Sequence, residues 1–351
     1  MRFRSVSIVL LLTSCLLNAC KTEDERNQNS TETISRVSID TLQTFTDFET
    51  HDIAQPVTLL MLHNGNIAIT DFAQKRINIV SPEGELTATF GREGRGPGEF
   101  LRPDKIIETD VISVIDSDLH MISQFDHEGN LLDAYPFASD GIFSEAVLLA
   151  DSIIVTSTGG KEDALLSITN IEEDSTLWFG EPKGKSFEVV DFQESISQLK
   201  SGEIPDLYKN QVKLQSTENH IYAYLNPYSE LHKYDASGNL MWKKKLEFPY
   251  NEDLFEKVVE LTKKSPGGLP AINYISEFKV IDNEIYFLTI RRNKEDPQLL
   301  VQVSDQGDIT RICTLPTGFG YFSDFELSPE TNKLYIASSN DGIVYKTEPP
   351  F

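Results

Sequence analysis

The chain has 351 residues, with 31 lysines and arginines against 55 aspartates and glutamates, a formal net charge of −24. Such an excess of acid repels phosphate backbones and anionic lipid heads, which argues against nucleic acid as a partner, and it speaks to solubility rather than to fold. Three cysteines leave little scope for a disulfide framework, so stability has to come from a packed core.

The first segment reads as an export signal. Arg2 and Arg4 give a basic start and Val6 to Leu17 an apolar run, too short for the roughly 20 residues of a membrane-spanning helix. The run closes on Leu17-Asn18-Ala19-Cys20. This ending resembles the lipobox of bacterial lipoproteins, in which the cysteine is acylated and becomes the new amino terminus; an uncleaved anchor or an ordinary secretory signal is the alternative. The resemblance implies that residues 1–19 are removed, that Cys20 is the lipid-attachment site, and that the membrane is a partner through several acyl chains, since one alone holds only marginally. Loss of residues 1–19, with two arginines and no acid, takes the charge from −24 to −26. Cys15 leaves with the signal, and Cys313 remains alone. Lys21 stands where an inner-membrane retention signal has aspartate, which favours the outer membrane, periplasmic or surface-facing. Lys21-Thr22-Glu23-Asp24-Glu25 is similar to short acidic surface-export signals and tilts the expectation towards the cell surface. Residues 20–33, polar and without an aromatic, are expected to form a flexible tether, leaving 34–351 as the folded domain.

Beyond the tether, alternating apolar segments recur at Asn66–Thr70, Val111–Ile115, Ser152–Val155, His220–Tyr224, Glu284–Leu288 and Lys333–Ala337. Four of these units continue into a second strand and a tight turn of constant form, Val80-Ser81-Pro82-Glu83-Gly84-Glu85-Leu86 being the first. Gly129, Gly238 and Gly307 hold the same place in the later copies. Glycine there predicts a positive φ, which side-chain-bearing residues reach only at a cost. A period of roughly 40 to 50 residues matches a propeller blade of four antiparallel strands. The expected fold is therefore all-β, a six-bladed β-propeller; a pair of β-sandwiches is the runner-up, but it does not predict a recurring turn. The sixth unit stops at Ile343–Lys346, and Ile34-Ser35-Arg36-Val37-Ser38-Ile39 is the segment expected to complete the last blade, closing the ring and removing exposed edges.

Phe90-Gly91-Arg92-Glu93-Gly94-Arg95-Gly96-Pro97-Gly98-Glu99-Phe100, followed by Pro103, resembles the inter-blade signature of NHL-type propellers and of the six-bladed β-propeller lipoproteins of Gram-negative bacteria. The signature occurs intact once. The lipoprotein family implies a ring on a lipid tether and no established reaction. The glycine run lacks the Gly-Lys-Ser/Thr ending of a P-loop, and Pro97 removes a backbone donor, so it reads as a connector. Arg92 and Arg95 are ligand-binding candidates because such loops sit on a rigid scaffold.

None of the six histidines has the His-Glu-x-x-His spacing of a zinc hydrolase. Asp116, Asp118 and His120 alternate on one stretch, either a metal site or a solvated turn. Six-bladed enzymes usually place calcium in the channel, and Asn66, Asp110, Asp151, Asn219, Asp282 and Asn332 lie near the starts of the recurring strands. Most also fall in turns where Asn and Asp are expected for backbone reasons, so no metal ligand is named and no cofactor is expected. No Gly-x-Ser-x-Gly motif occurs. Two insertions, Glu181–Ser216 and Asn251–Glu277, lengthen the later units. The second predicts a helix through Leu254, Phe255, Val258, Val259 and Leu261, stopped by Ser265-Pro266-Gly267-Gly268. Tyr208, Tyr228, Tyr250 and Tyr274 lie near these insertions; Tyr228 and Tyr250 are the aromatic candidates for ligand contact.

The function expected is a membrane-anchored extracytoplasmic binding module that holds a protein, peptide or glycan. The alternative is a calcium-dependent hydrolase or lyase acting on a lactone or glycan. Metabolic labelling with a fatty acid is expected to mark the wild-type protein and to miss Cys20→Ala, which should be released from membranes or persist as a precursor. Label retained on Cys20→Ala would remove the lipid assignment.

Overall fold

The alternating apolar segments fold as antiparallel strands in six sheets, a six-bladed β-propeller, in a computed structural model that describes residues 34–138, 145–265 and 267–349. The expected signal, Cys20 and the tether lie outside the described residues. The described chain begins with β1 (Ser35–Ser38), β2 (Gln43–Asp47) and the short α1 (Phe48–His51). Blade I is β3 (Pro56–Met61), β4 (Ile67–Asp71), β5 (Arg76–Val80) and β6 (Leu86–Phe90). Blade II is β7 (Pro103–Glu108), β8 (Ile112–Asp116), β9 (Met121–Phe125) and β10 (Leu131–Pro136). Blade III is β11 (Ala146–Ala150), β12 (Ile153–Ser157), β13 (Leu166–Asn170) and β14 (Ser175–Phe179). After α2 (Phe192–Ser201) and α3 (Asp206–Lys209), blade IV follows as β15 (Val212–Ser216), β16 (His220–Leu225), β17 (Glu230–Asp235) and β18 (Leu240–Lys245). After α4 (Asn251–Lys264), blade V is β19 (Ile275–Ile281), β20 (Glu284–Thr289), β21 (Leu299–Val303) and β22 (Ile309–Thr314). Blade VI takes β23 (Phe322–Ser328), β24 (Lys333–Ser338) and β25 (Ile343–Thr347) from the end of the chain and β2 from its start.

The ring closes, but not through the segment expected. β1 adds to blade V as a fifth strand, parallel to β22, with Val37 opposite Cys313. The closing strand is β2, antiparallel to β25 from Gln43 opposite Lys346 to Asp47 opposite Ile343. Chemistry explains the choice: Phe45 is buried between blades VI and I and packs edge-on against Tyr335, ring centroids 4.8 Å apart.

First strands line the axis and fourth strands form the rim, as packing of β3 against β7 and β23, and of β19 against β23, shows. The second strands sit between neighbouring blades and are covered on both faces; β4 and β8 are buried at every residue. Those are the segments whose apolar pattern marks each repeat in the sequence. Between successive blades lie six apolar wedges, among them Tyr224, Phe278 and Phe287 between blades IV and V. The predicted turn glycines have φ of 96° at Gly84, 86° at Gly129, 80° at Gly238 and 81° at Gly307. They also serve as seats. A β-carbon at Gly129 would lie 2.7 Å from Phe90 of the preceding blade, and one at Gly238 would lie 2.8 Å from Phe179. Phe45 lies against Gly84 more loosely, its ring 3.9 Å from where a β-carbon would stand, so the closing blade docks on blade I in the manner of blade I on blade II and blade III on blade IV.

Deletion of residues 1–33 should leave the melting temperature unchanged, and deletion through Asp40, which removes β1, should lower it while unfolding stays cooperative. Deletion through Asp47 opens blade VI and should abolish the folded ring, and Phe45→Ala alone should cost about 3–5 kcal/mol. Equal thermal unfolding of the two longer truncations would contradict closure by β2.

Candidate functional site

Two places could carry function, the ring axis and the face bearing the connectors. At the axis the first strands supply charge rather than apolar side chains. Lys105 reaches Glu145 at 3.1 Å and donates to the carbonyl of Leu214 at 2.8 Å, joining blades II, III and IV. Lys213 meets Glu277 of blade V at 3.0 Å. Lys279 meets Glu326 at 3.0 Å and Asp324 at 3.3 Å in blade VI and donates to the carbonyl of Leu59 in blade I. Asp324 accepts the Leu59 N–H at 2.7 Å, and Thr58 donates to the carbonyl of Asp104 at 2.7 Å, which brings the network back to blade II.

Burial opposes both ammonium charges, yet Glu277 beside Lys213, and Asp324 and Glu326 beside Lys279, outweigh it and hold both above the usual lysine range. Burial likewise opposes the charge of Glu277, and Lys213 and Lys105 overcome it and hold the carboxyl below its ordinary value. Asp324 differs: burial pushes it up to about 6, with Glu277 and Glu326 adding to the effect and Lys279 opposing it.

Calcium takes 6–8 oxygen ligands. Here the point where Asp324 and Glu326 converge is held by the Lys279 ammonium, and among the described residues no group of three His, Cys, Asp or Glu is placed to hold a metal ion. This donor set does not fit calcium. Asn66, Asp110, Asp151, Asn219, Asp282 and Asn332 lie in or beside the turns between first and second strands, on the face opposite the blade connectors. Asp116, Asp118 and His120 do not form a ligand set either. Asp116 is buried, not solvated, and accepts the N–H groups of Leu101 at 2.7 Å, Arg102 at 2.8 Å, Asp118 at 3.0 Å and Leu119 at 2.8 Å. Asp71 does the same in blade I for Ala54, Gln55, Ala73 and Gln74. Both are staples between a blade and the connector that enters it.

Antiparallel order puts the blade-to-blade connectors and the turns between second and third strands on one face, so the four α-helices of the described residues decorate that face. The periodicity of 251–264 is realised as α4, with Glu252 and Asp253 in its first turn and Lys263 and Lys264 in its last, which suits the helix dipole. α2, α3 and α4 share a small core in which Leu199, Tyr208, Leu254, Val259, Ile272 and Tyr274 are buried. Tyr208 donates its hydroxyl to the carbonyl of Leu269 at 2.9 Å. Tyr208 and Tyr274 are thus cap packing, not ligand surface.

Between α4 and the 290–298 hairpin of blade V lies a groove of about 580 Å³. Leu254, Val258 and Leu261 of α4 and Ile290 give it an apolar wall, and Lys257, Arg291, Arg292, Lys294 and Tyr321 supply its polar side. Arg292 is bound to Asp253 at 2.6 Å and Asp296 at 3.0 Å. Sequence reasoning missed this site, because Arg291, Arg292 and Lys294 sit on a hairpin remote in sequence from the helix that completes it.

The sequence candidates fall in separate places on this face. Arg92 and Arg95 stand on the blade I–II connector, where Glu99 fills the glycine loop: one oxygen accepts the N–H groups of Gly96 at 2.9 Å and Arg95 at 3.0 Å, the other binds Arg92 at 2.7 Å. The Gly96 N–H and then the Arg92 guanidinium hold Glu99 below the usual carboxylate range. Tyr228 is half-buried at the second-to-third turn of blade IV, with the Lys183 ammonium 5.4 Å from its ring centre. Tyr250 begins α4 at φ 76°, lines a second cavity of about 350 Å³, and carries Arg292 over its ring at 5.0 Å. The structure brings only Tyr250 to the edge of the groove, through Arg292.

A family model described as a six-bladed β-propeller matches residues 19–139. No curated protein matches the sequence. Among solved structures, a protein of Bacteroides fragilis NCTC 9343 described as exported superposes with a TM-score of 0.52 at 11% identity, over 90% of this chain and 98% of its own. The Pan2 WD40 domain of Neurospora crassa gives 0.50 at 8% identity, over 90% and 98%. A virginiamycin B lyase of Staphylococcus aureus gives 0.47 at 12% identity, over 88% of each. At such identities the likeness is one of fold.

Lys279→Met leaves two buried carboxylates unneutralised and should cost about 3–5 kcal/mol in urea unfolding. Asp324 binds its proton more readily folded than unfolded, so its share of stability grows as pH falls through about 6 towards the ordinary aspartate range. Relative to Asp324→Asn, the wild type should therefore gain about 1 kcal/mol between pH 7 and pH 5. An unchanged difference would show that Asp324 is not held in that state.

Proposed function

We propose that the protein is a lipid-anchored extracytoplasmic binding module, carried on Cys20 at the outer membrane, that holds its partner on the connector face. The anchoring rests on the sequence of residues 1–20. The binding reading rests chiefly on one observation: every described helix, and the groove of about 580 Å³, is gathered on the single face where blade connectors can vary without disturbing the ring. Channel chemistry has less support, since the axial carboxylates are engaged by Lys105, Lys213 and Lys279 and staple the ring. Tyr250 supports the groove through Arg292, and Tyr228, Arg92 and Arg95 extend the same face as further contact points.

Site-specific photo-crosslinking in intact cells tests the reading. Leu261 on α4 is 45% exposed and Leu132 on the rim of blade II is 55% exposed, so a photoreactive residue is tolerated at either. A discrete crosslinked partner is expected from position 261 and not from position 132. Equal crosslinking from both, or none from 261, would contradict a binding role for this face.

A further inference from the structure

The groove beside α4 carries charge of the wrong sign for the molecule around it. The chain has 55 acidic residues and a net charge of −24, so four basic side chains gathered in one groove run against the charge of the whole. Arg292 is paired with both Asp253 and Asp296. The other three cations of the groove are not. Lys257 donates to the carbonyl of Arg292 at 2.6 Å and to the Asn293 side chain at 3.4 Å, both neutral. Arg291 lies with its guanidinium 5.8 Å from the ring centre of Tyr321 and reaches only the carbonyl of Lys294, at 3.4 Å. Lys294 is exposed, and among the described residues none of the three is within ion-pair distance of a carboxylate.

Opposite Arg291 and Lys294 the wall is aliphatic, with Lys257 beside it on the same helix. Leu254, Val258 and Leu261 recur at the spacing that puts them on one stripe of α4. Leu254 is 6% exposed and holds the cap, whereas Leu261 is 45% exposed and left open. Tyr321, whose hydroxyl is fixed by Ser276 at 2.6 Å, supports Arg291 from below. A volume of about 580 Å³ falls within the roughly 300–1,000 Å³ of sites that enclose a small ligand or a short chain segment.

Resting on the binding role of the connector face, we propose that this groove takes a short acidic segment of another protein, with an aspartate or glutamate set beside leucine, isoleucine or valine. The carboxylate would meet Arg291, Lys294 and Lys257, and the aliphatic side chain would lie on the α4 stripe of Leu254, Val258 and Leu261. An aliphatic wall suits such side chains better than a sugar, which favours open aromatic faces, and the Tyr321 ring is already covered by Arg291. The surrounding negative potential excludes a polyanion such as nucleic acid while leaving room for a single carboxylate at the local cations.

A random heptapeptide display library, panned against the wild type, Leu261→Asp and the double variant Arg291→Ala/Lys294→Ala, tests this, with unchanged melting temperatures confirming that the variants fold. Peptides enriched on the wild type should carry an acid within two residues of an aliphatic side chain and should be lost on both variants. A synthetic copy with glutamine in place of glutamate should bind about tenfold or more weakly to the wild type and no differently to the double variant, a coupling that a merely structural role would not produce. Raising the salt should weaken the acidic peptide and spare the glutamine copy. No enrichment, enrichment without an acid, or equal binding of the two copies would overturn the proposal. Should position 261 still crosslink a partner in cells after such a result, the ligand class fails while the binding role stands.

Discussion

Three lysines at the ring axis hold the architecture together. Lys105, Lys213 and Lys279 come from blades II, IV and V, and between them contact carboxylates or carbonyls of blades I, III, IV, V and VI. A buried ion pair contributes little net stability against a well-packed apolar substitute, but removing one partner strands the other at high cost. The network therefore acts as a specification. Each ammonium fixes how a first strand sits against the next, and the six apolar wedges outside it then supply most of the stabilisation by burial.

A ring fixed at its axis and closed at its rim is elaborated in the segments between its strands. That constraint accounts for the position of α2, α3 and α4, which lie in the III–IV and IV–V connectors and share one small core. It also accounts for the groove. α4 turns Val259 and Thr262 into the cap and leaves Leu261 open, while the blade V hairpin brings Arg291 and Lys294 to the other side. Local cations on a strongly acidic molecule set the charge of that groove apart from the molecule around it.

Much of the fold was legible because of where each strand sits. Second strands such as β4 and β8 are covered on both faces and read as unbroken apolar runs, and the turn glycines announce their positive φ. First strands were not legible, since one side of β7, β15 or β19 meets the charged axis and their lysines and glutamates look like surface. The expected insertions consequently absorbed β15 and the start of β19. The closing strand was misplaced because Ser35–Ser38 and Gln43–Asp47 alternate alike. A distinguishing signal was present: Phe45 precedes Gly84 by the same 39 residues that separate Phe90 from Gly129, and each pair is an aromatic of one blade seated on the turn glycine of the next. Of the site, the helix was legible from its period and Tyr250 from its place beside it. Arg291 and Lys294 were not, because nothing in a polar hairpin indicates which helix it will face.

The central claim is that blade VI, assembled from both ends of the chain, is as firmly part of the ring as the blades made from continuous sequence. Native-state hydrogen exchange tests it most directly. Amides of β2 and β25 that are bonded across the closure should exchange only through global unfolding, with the same free energy as those between β16 and β17. Exchange of β2 and β25 through a separate, smaller opening would contradict the account.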